Sequence, residues 1–403
     1  MNTEWIGSTE AARRLGVSAA TLYAYVSRGL LRSEGTSGQR ERRYRADDVA
    51  RLKRQRAVGR KAESIAANAL DFGTPVLESS LTLIENGRLY YRGHDAVRLA
   101  RSSSLEQVAQ LLWECDDRPF DTHNLPAMSA ALRAAWNATA TLSTVDRCLI
   151  LLPAAARWDH PSWVEDRGAM LETAVRILRL LTSAVTMEPV SPLPVHEQLA
   201  SAWHVPADGV PLIRAALVLS ADHEFNASTF AARVVASTGA HLYSVTTAGL
   251  AAISGPRHGG LTRHVASLLD SLATADDLEA ELARHVQERV HLPGFGHPLY
   301  PDGDVRAATL FALLHENENL PNPPELAFVE RVVAAAGRVV RAEPNIDFAT
   351  VTLERVLGLP RDSALALFLL GRTVGWIAHA LEQANSSSLI RPRARYIGPR
   401  PAA

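Results

Sequence analysis

The sequence predicts an all-α body preceded by a small basic unit. Three observations predict this. From about residue 105 to residue 390, apolar residues recur at intervals of three and four. Examples are Leu105/Val108/Ala109/Leu112 and Leu365/Phe368/Leu369/Val374, the spacing that gives a helix one apolar face. Alternating apolar and polar residues, the mark of a strand, are scarce. Leu89–Arg92 after Asn86-Gly87 is the best case and predicts one small hairpin. Charge is unevenly spread: residues 1–61 hold 14 Lys/Arg and 6 Asp/Glu, and the rest 28 and 37, although the net charge is only −1. That asymmetry predicts a polyanion-binding module on a neutral-to-acidic body.

In the basic unit, Ser8 or Thr9 is placed to cap a helix running to about Leu15, with Ala11, Ala12 and Leu15 inward. Gly16-Val17-Ser18 predicts a tight turn, and Ser18 a cap for a second helix from Ala19 to about Arg28, ended by Gly29. Helix, short turn, helix is a pattern that sets its second helix into a DNA major groove. The run QRERRYR then predicts a basic hairpin or wing, and ADDVARLKRQR a third helix with Asp47 and Asp48 in its first turn. The segment resembles the MerR-type winged helix-turn-helix over roughly 55 residues. The resemblance implies that Thr21, Tyr23 and Arg28 face DNA and that Arg42, Arg43 and Arg45 contact phosphate. The alternative is a basic helical appendage that packs on the body or binds RNA. Residues 1–57 are taken as this domain, 58–75 as a linker, and 76–403 as the body.

Composition bounds the whole chain. Hydrophobic residues make up 47% and charged residues 21%, which suits a soluble globular chain. Apolar runs such as ALALFLLG are short for a membrane span, and no leader pattern opens the chain, so a cytoplasmic location is expected. Cys115 and Cys148 have no metal-ligand spacing and are expected to be free thiols.

Six polar stretches interrupt the helical background: ADHEFNAST around His223, SGPRHGGLTRH around His258, PGFGHPLYPDGDVRA around His297, EPNIDFAT around Asp347, FLLGRTVGWIAHALEQ around Arg372 and LIRPRARYIGP around Arg391. Each has an ordinary explanation by itself. A single helical histidine is usually structural, Gly259-Gly260 suits a C-cap, Asp347 an N-cap, and Arg372 a partner for a helix end. Together, in this order and spacing, they resemble the citrate synthase family from about Gly73 to the C-terminus.

That resemblance implies a citrate synthase fold, with a large helical domain (76–261 and 366–403) and a small one (262–365). It implies condensation of acetyl-CoA with oxaloacetate; 2-methylcitrate synthesis from propionyl-CoA and metabolite sensing without turnover are the alternatives. Asp347 would be the base, His258 the donor to the thioester carbonyl, and His297 the donor to the keto oxygen. His223, Arg306 and Arg372 would hold carboxylates, with Arg391 reaching the partner's site in a homodimer. Pro293, Gly294, Phe295 and Gly296 would lie against coenzyme A. Neither a metal nor another cofactor is implied, the coenzyme A thioester being a substrate. The chain departs from the family pattern at Leu261-Thr262, where Ala-Asn is usual. It departs again at Pro298, Pro301 and Asp302, where basic residues are frequent.

Overall fold

A computed structural model describes residues 5–15, 17, 22, 26, 31–35, 42–49, 77–157, 159, 166–288, 292–386, 388–394 and 396–399. Contacts divide the chain into two compact units, Met1–Glu78 and Ser79–Ala403. The expected linker, 58–75, lies outside the described residues.

In the first unit, α1 (Ser8–Leu15) buries Ala11 and Leu15, as its spacing predicts. A strand that the sequence analysis did not foresee precedes it. β1 (Trp5–Gly7) joins β2 (Ser33–Gly35) and β3 (Arg42–Arg45) in an antiparallel sheet of order β1-β3-β2. The basic run is thus a strand whose Tyr44 enters a core with Ile6, Leu15, Leu22 and Leu31. Arg42 and Arg43 are both exposed, while Arg45 is half-buried and lies 3.9 Å from Asp47. Asp48 is buried and receives Arg32 through Nε and Nη2 at 2.9 and 3.0 Å. Thr21, Tyr23 and Arg28 lie outside the described residues.

The second unit opens with the hairpin. β4 (Thr82–Glu85) and β5 (Arg88–Tyr91) pair through Asn86 and Gly87, both at positive φ, and β6 (His94–Asp95) adds a third strand. Helices follow: α2 (Ala96–Ser102), α3 (Leu105–Trp113), α4 (Ala130–Ala138), α5 (Thr144–Ala156), α6 (Arg167–Thr186), α7 (Val195–Ala202) and α8 (Val210–Leu219). Next come α9 (Ala227–Ala236), α10 (Leu242–Ile253), α11 (Leu261–Leu272), α12 (Leu278–Glu288) and α13 (Val305–Glu316). The last three are α14 (Pro323–Val340), α15 (Ile346–Val356) and α16 (Ser363–Ala384).

Helix α16 is the axis of the large core. Its 22 residues pass as a membrane span by length and hydropathy, unlike the short run noted in the sequence, but that window is wholly buried. The apolar run reads short because Arg372, His379 and Gln383 interrupt it, all of them buried polar residues. Neighbouring helices approach closely where it carries glycine. A Cβ at Gly371 would stand 2.4 Å from Leu217 O, and one at Gly375 2.3 Å from Ala221 O. A second core gathers Val265, Leu268, Leu269, Leu272, Val329, Val332, Phe348 and Val351. Cys148 is buried and Cys115 half-buried, and both thiols are free.

Candidate active site

The Gly-Phe-Gly-His loop is built by backbone pairing. Gly294 and Gly296 adopt φ of +83° and +75°, the left-handed region that favours glycine. Between them Phe295 bridges to Pro344, while the Gly296 N–H donates to Glu343 O at 2.8 Å and the Asn345 N–H to Gly294 O at 2.9 Å. Asn345 Nδ2 donates to Gly296 O, and its Oδ1 caps α15 by accepting from the Asp347 and Phe348 amides. One short ladder therefore fixes His297 relative to Asp347. Asn345 is the cap, not Asp347, so the Asp347 carboxylate is left for other work. Pro293 and Gly294 are buried, Phe295 half-buried and Gly296 exposed.

A backbone hydrogen bond assigns the His297 proton. The Leu299 amide donates to His297 Nδ1 at 3.1 Å, so the neutral ring carries its proton on Nε2. Burial pulls His297 down to about 4, Arg306 adding to the fall and Asp304 opposing it. His258 sits in the Ser254–Gly260 turn, where a Cβ on Gly260 would lie 2.6 Å from Ser254 O. Gly259-Gly260 serves that close approach; Gly260 precedes α11 rather than ending a helix. His258 Nε2 lies 2.7 Å from Ser228 Oγ, which also accepts from Trp376 Nε1 at 3.1 Å. Ser228 Oγ also lies 2.8 Å from Asn226 Oδ1, to which it donates; only when the serine proton turns from Asn226 to the imidazole does Nδ1 become the donor of a neutral ring. Burial and Arg372 bring His258 down to about 3. His223 Nε2 meets the Tyr300 hydroxyl at 3.0 Å, and its ring stands edge-on to His297 with centroids 5.1 Å apart. Burial, with Arg306 and Arg372, holds His223 well below the usual imidazole range. All three rings are neutral at neutral pH.

The cations are held from behind. Arg306 is 2% exposed, and Asp304 grips it at Nε (2.9 Å) and Nη2 (2.7 Å) while also accepting from the Ile346 amide at 3.0 Å. Burial alone would lower Arg306, but Asp304 outweighs it and keeps the guanidinium charged. Arg372, 1% exposed, donates Nε to Ser220 O at the end of α8 and stacks 4.8 Å over Phe368. The ordinary reading of Arg372, a partner for a helix end, therefore holds for one of its nitrogens. Its Nη2 is buried with no partner, an expensive state for a charged donor. Burial pushes the Asp347 carboxyl up to about 7, with Asp304 adding to the rise and Arg306 and Arg372 opposing it.

Six of the seven expected catalytic and carboxylate-binding residues thus converge in one region. Arg391 stands apart, exposed on the C-terminal segment beside Ile390, whose N–H donates to Ser237 Oγ. A cavity of about 240 Å³ opens elsewhere, between Thr262, Arg263, Glu354, Arg361 and Asp362. It includes none of these residues, so converging polar atoms define the site rather than void volume. Among the described residues no cluster of His, Cys, Asp or Glu is arranged to hold a metal ion. Sequence reasoning missed the roles of Asp304, Tyr300, Ser228 and Asn345. All four lie inside the quoted stretches, and their polarity within apolar helical sequence was the available signal.

A buried His223, half-buried His258 and His297, a desolvated aspartate and two buried guanidiniums thus meet in a mostly helical body, groups able to exchange protons and to hold carboxylates. Residues 70–393 match the family model described as citrate synthase, C-terminal domain. The chain belongs to the citrate synthase family. Residues 7–58 match the model for MerR HTH family regulatory proteins. The chain is 31% identical over 342 residues to a citrate synthase of Mycolicibacterium smegmatis, covering 78% of this chain and 90% of that one. It is equally 31% identical over 349 residues to a 2-methylcitrate synthase of Mycobacterium tuberculosis, covering 78% and 86%. The crystal structure of citrate synthase from Thermotoga maritima superposes with a TM-score of 0.69 at 28% identity, covering 82% and 96%. The fold is therefore that of the citrate synthases, which need no metal or other cofactor.

Proposed function

We propose that the protein condenses acetyl-CoA with oxaloacetate to give citrate and coenzyme A, in the cytoplasm. The observation that carries this reading is the buried, unpartnered Nη2 of Arg372, a donor that a substrate carboxylate would satisfy. Arg306 and His223 complete the carboxylate pocket. Asp347 takes a proton from the acetyl methyl group while His258, donating from Nδ1, holds the developing enolate oxygen. The new carbanion centre attacks the keto carbon, and His297 donates from Nε2 to the alkoxide. Water then cleaves the citryl thioester, releasing coenzyme A. The 293–296 stretch would lie along the coenzyme A, and movement of the 262–365 part over the rest would exclude water. A homodimer would bring the partner's Arg391 to each pocket.

A second reading, 2-methylcitrate synthesis from propionyl-CoA, rests on identity to a 2-methylcitrate synthase as high as that to a citrate synthase. One methylene discriminates by only about 1–3 kcal/mol, so the assay decides. Thiol release is measured with each thioester and oxaloacetate, for the native chain and for Asp347→Asn. Turnover that Asp347→Asn abolishes, with oxaloacetate binding retained, is the expected result, and the ratio of rates names the acyl group. Tight oxaloacetate binding without turnover of either thioester would make the body a metabolite sensor instead.

For residues 1–57 we propose DNA binding, with Arg42 and Arg43 on phosphate. A gel-shift titration across salt is expected to show affinity falling linearly on a log–log scale; no shift at low salt would assign the unit to protein contacts.

A further inference from the structure

Beneath the keto-acid pocket lies a buried polar chain to which the reaction scheme gives no part. Asp222, the residue before His223, is fully buried. Its Oδ2 accepts from Thr82 Oγ1 at 2.6 Å and faces His379 Nε2 at 3.3 Å. His379, also fully buried, has its Nδ1 3.1 Å from Arg233 Nη1. Arg233 in turn pairs with Glu382 and donates Nε to Gln383 Oε1 at 2.7 Å.

A guanidinium only donates, so His379 Nδ1 must accept, and Nε2 carries the proton toward Asp222. Both residues are tied to the pocket. Tyr91 donates its hydroxyl to Val218 O at 3.0 Å and Asp222 O at 3.3 Å, which holds the 218–223 backbone. The same segment presents His223 and supplies Ser220 O to Arg372 Nε. Asp222 Oδ1 is buried without a partner, and the charge on Asp222 supports that of Arg372. Gly375 makes room for it, since a Cβ there would stand 2.5 Å from Asp222 Oδ1.

We propose that Asp222 and His379 are positioning residues for the keto acid: through the 218–223 segment they hold His223 and Arg372 where two carboxylates are received. This rests on the oxaloacetate reading above. A buried carboxylate is kept at this point because its partners fix a turn as well as balance a charge. A glutamine can replace the imidazole in this role, its carbonyl accepting from Arg233 and its amide donating to Asp222.

The test is calorimetric titration of the full chain with oxaloacetate, together with KM for both substrates, in native, His379→Leu, His379→Gln, Asp222→Asn and Thr82→Val proteins. Leucine at 379 and asparagine at 222 are expected to weaken oxaloacetate about tenfold or more, the loss of one bond to a charged group. KM for the thioester should change by less than about twofold, and His379→Gln should bind within about threefold of native, since it keeps both bonds. Thr82→Val removes one hydroxyl and is expected to weaken oxaloacetate severalfold, which keeps the test open if His379→Leu fails to fold. His379→Gln binding as poorly as His379→Leu would overturn the proposal, because the ring's volume would then be what matters. Native affinity in Asp222→Asn and Thr82→Val would overturn it as well. A native chain that binds no oxaloacetate would overturn the functional reading first and this inference with it.

Discussion

Asp347 shows how one side chain's chemistry follows from its surroundings. A carboxylate at the first turn of a helix normally gains from the helix dipole. Here burial dominates and the carboxyl rises to about 7. The base must be ionised, so kcat/KM is expected to fall as pH drops through about 7, while His258 and His297 stay neutral down to about 3 and 4. An acid limb near 4 would assign the proton transfer to another group. Asp304 offers a second case. Replacing it with asparagine leaves Arg306 without its ionic partner and is expected to raise KM for oxaloacetate about tenfold. Steady-state kinetics showing an equal rise for the thioester would indicate general loosening instead.

Single elements carry the site's geometry. The 294–296 ladder against Glu343–Asn345 links the loop of His297 to the helix of Asp347, and it demands backbone that only glycine supplies without strain. A Cβ on Gly294 would stand 2.9 Å from both Phe348 Cβ and Val265 Cγ2. Gly294→Ala is expected to cost about 1–3 kcal/mol in chemical denaturation and to lower turnover. Gly337 is the control. It lies inside α14 with nothing within 4 Å of a Cβ, so Gly337→Ala is expected to stabilise by about 0.5–1 kcal/mol. If both alanines behave alike, close approach is not what fixes the glycine at 294.

At the scale of the whole molecule, the buried histidines set the acid stability. A histidine whose folded pKa is depressed is protonated first in the unfolded chain, so its contribution is lost as pH falls below about 6.5. Three such rings, His223, His258 and His297, act together. Asp347 acts oppositely: raised when folded, it favours the folded state as pH falls from about 7 toward its unfolded value. His196, also lowered by burial, acts with the three rings, and Glu224 and Glu354, also raised by burial, act with Asp347; four groups outnumber three, and the thermal midpoint is expected to fall from pH 6.5 to pH 4.5. Asp347→Asn removes one opposing group and should steepen that loss by about 1.4 kcal/mol per pH unit. An unchanged slope would show that Asp347 does not titrate there.

The sequence by itself determined the helical body, the hairpin at Asn86-Gly87, the basic first unit and five of the six polar stretches that meet in the candidate site. Helical spacing, turn chemistry and charge are local properties, and they survive without the fold. Only the tertiary structure decided which nitrogen of His297 holds its proton, why Asn345 rather than Asp347 caps its helix, and how Asp304 keeps Arg306 charged. It also set Trp5–Gly7 as a third strand beside the expected basic pair and made α16 a buried axis rather than a short apolar run. These outcomes depend on partners distant in sequence: Leu217 and Ala221 against the glycines of α16, Glu343–Asn345 against the Gly-Phe-Gly loop, and Trp5–Gly7 against Arg43–Arg45. Burial and proton placement are set by what surrounds a side chain in space, and the order of residues along the chain does not state it.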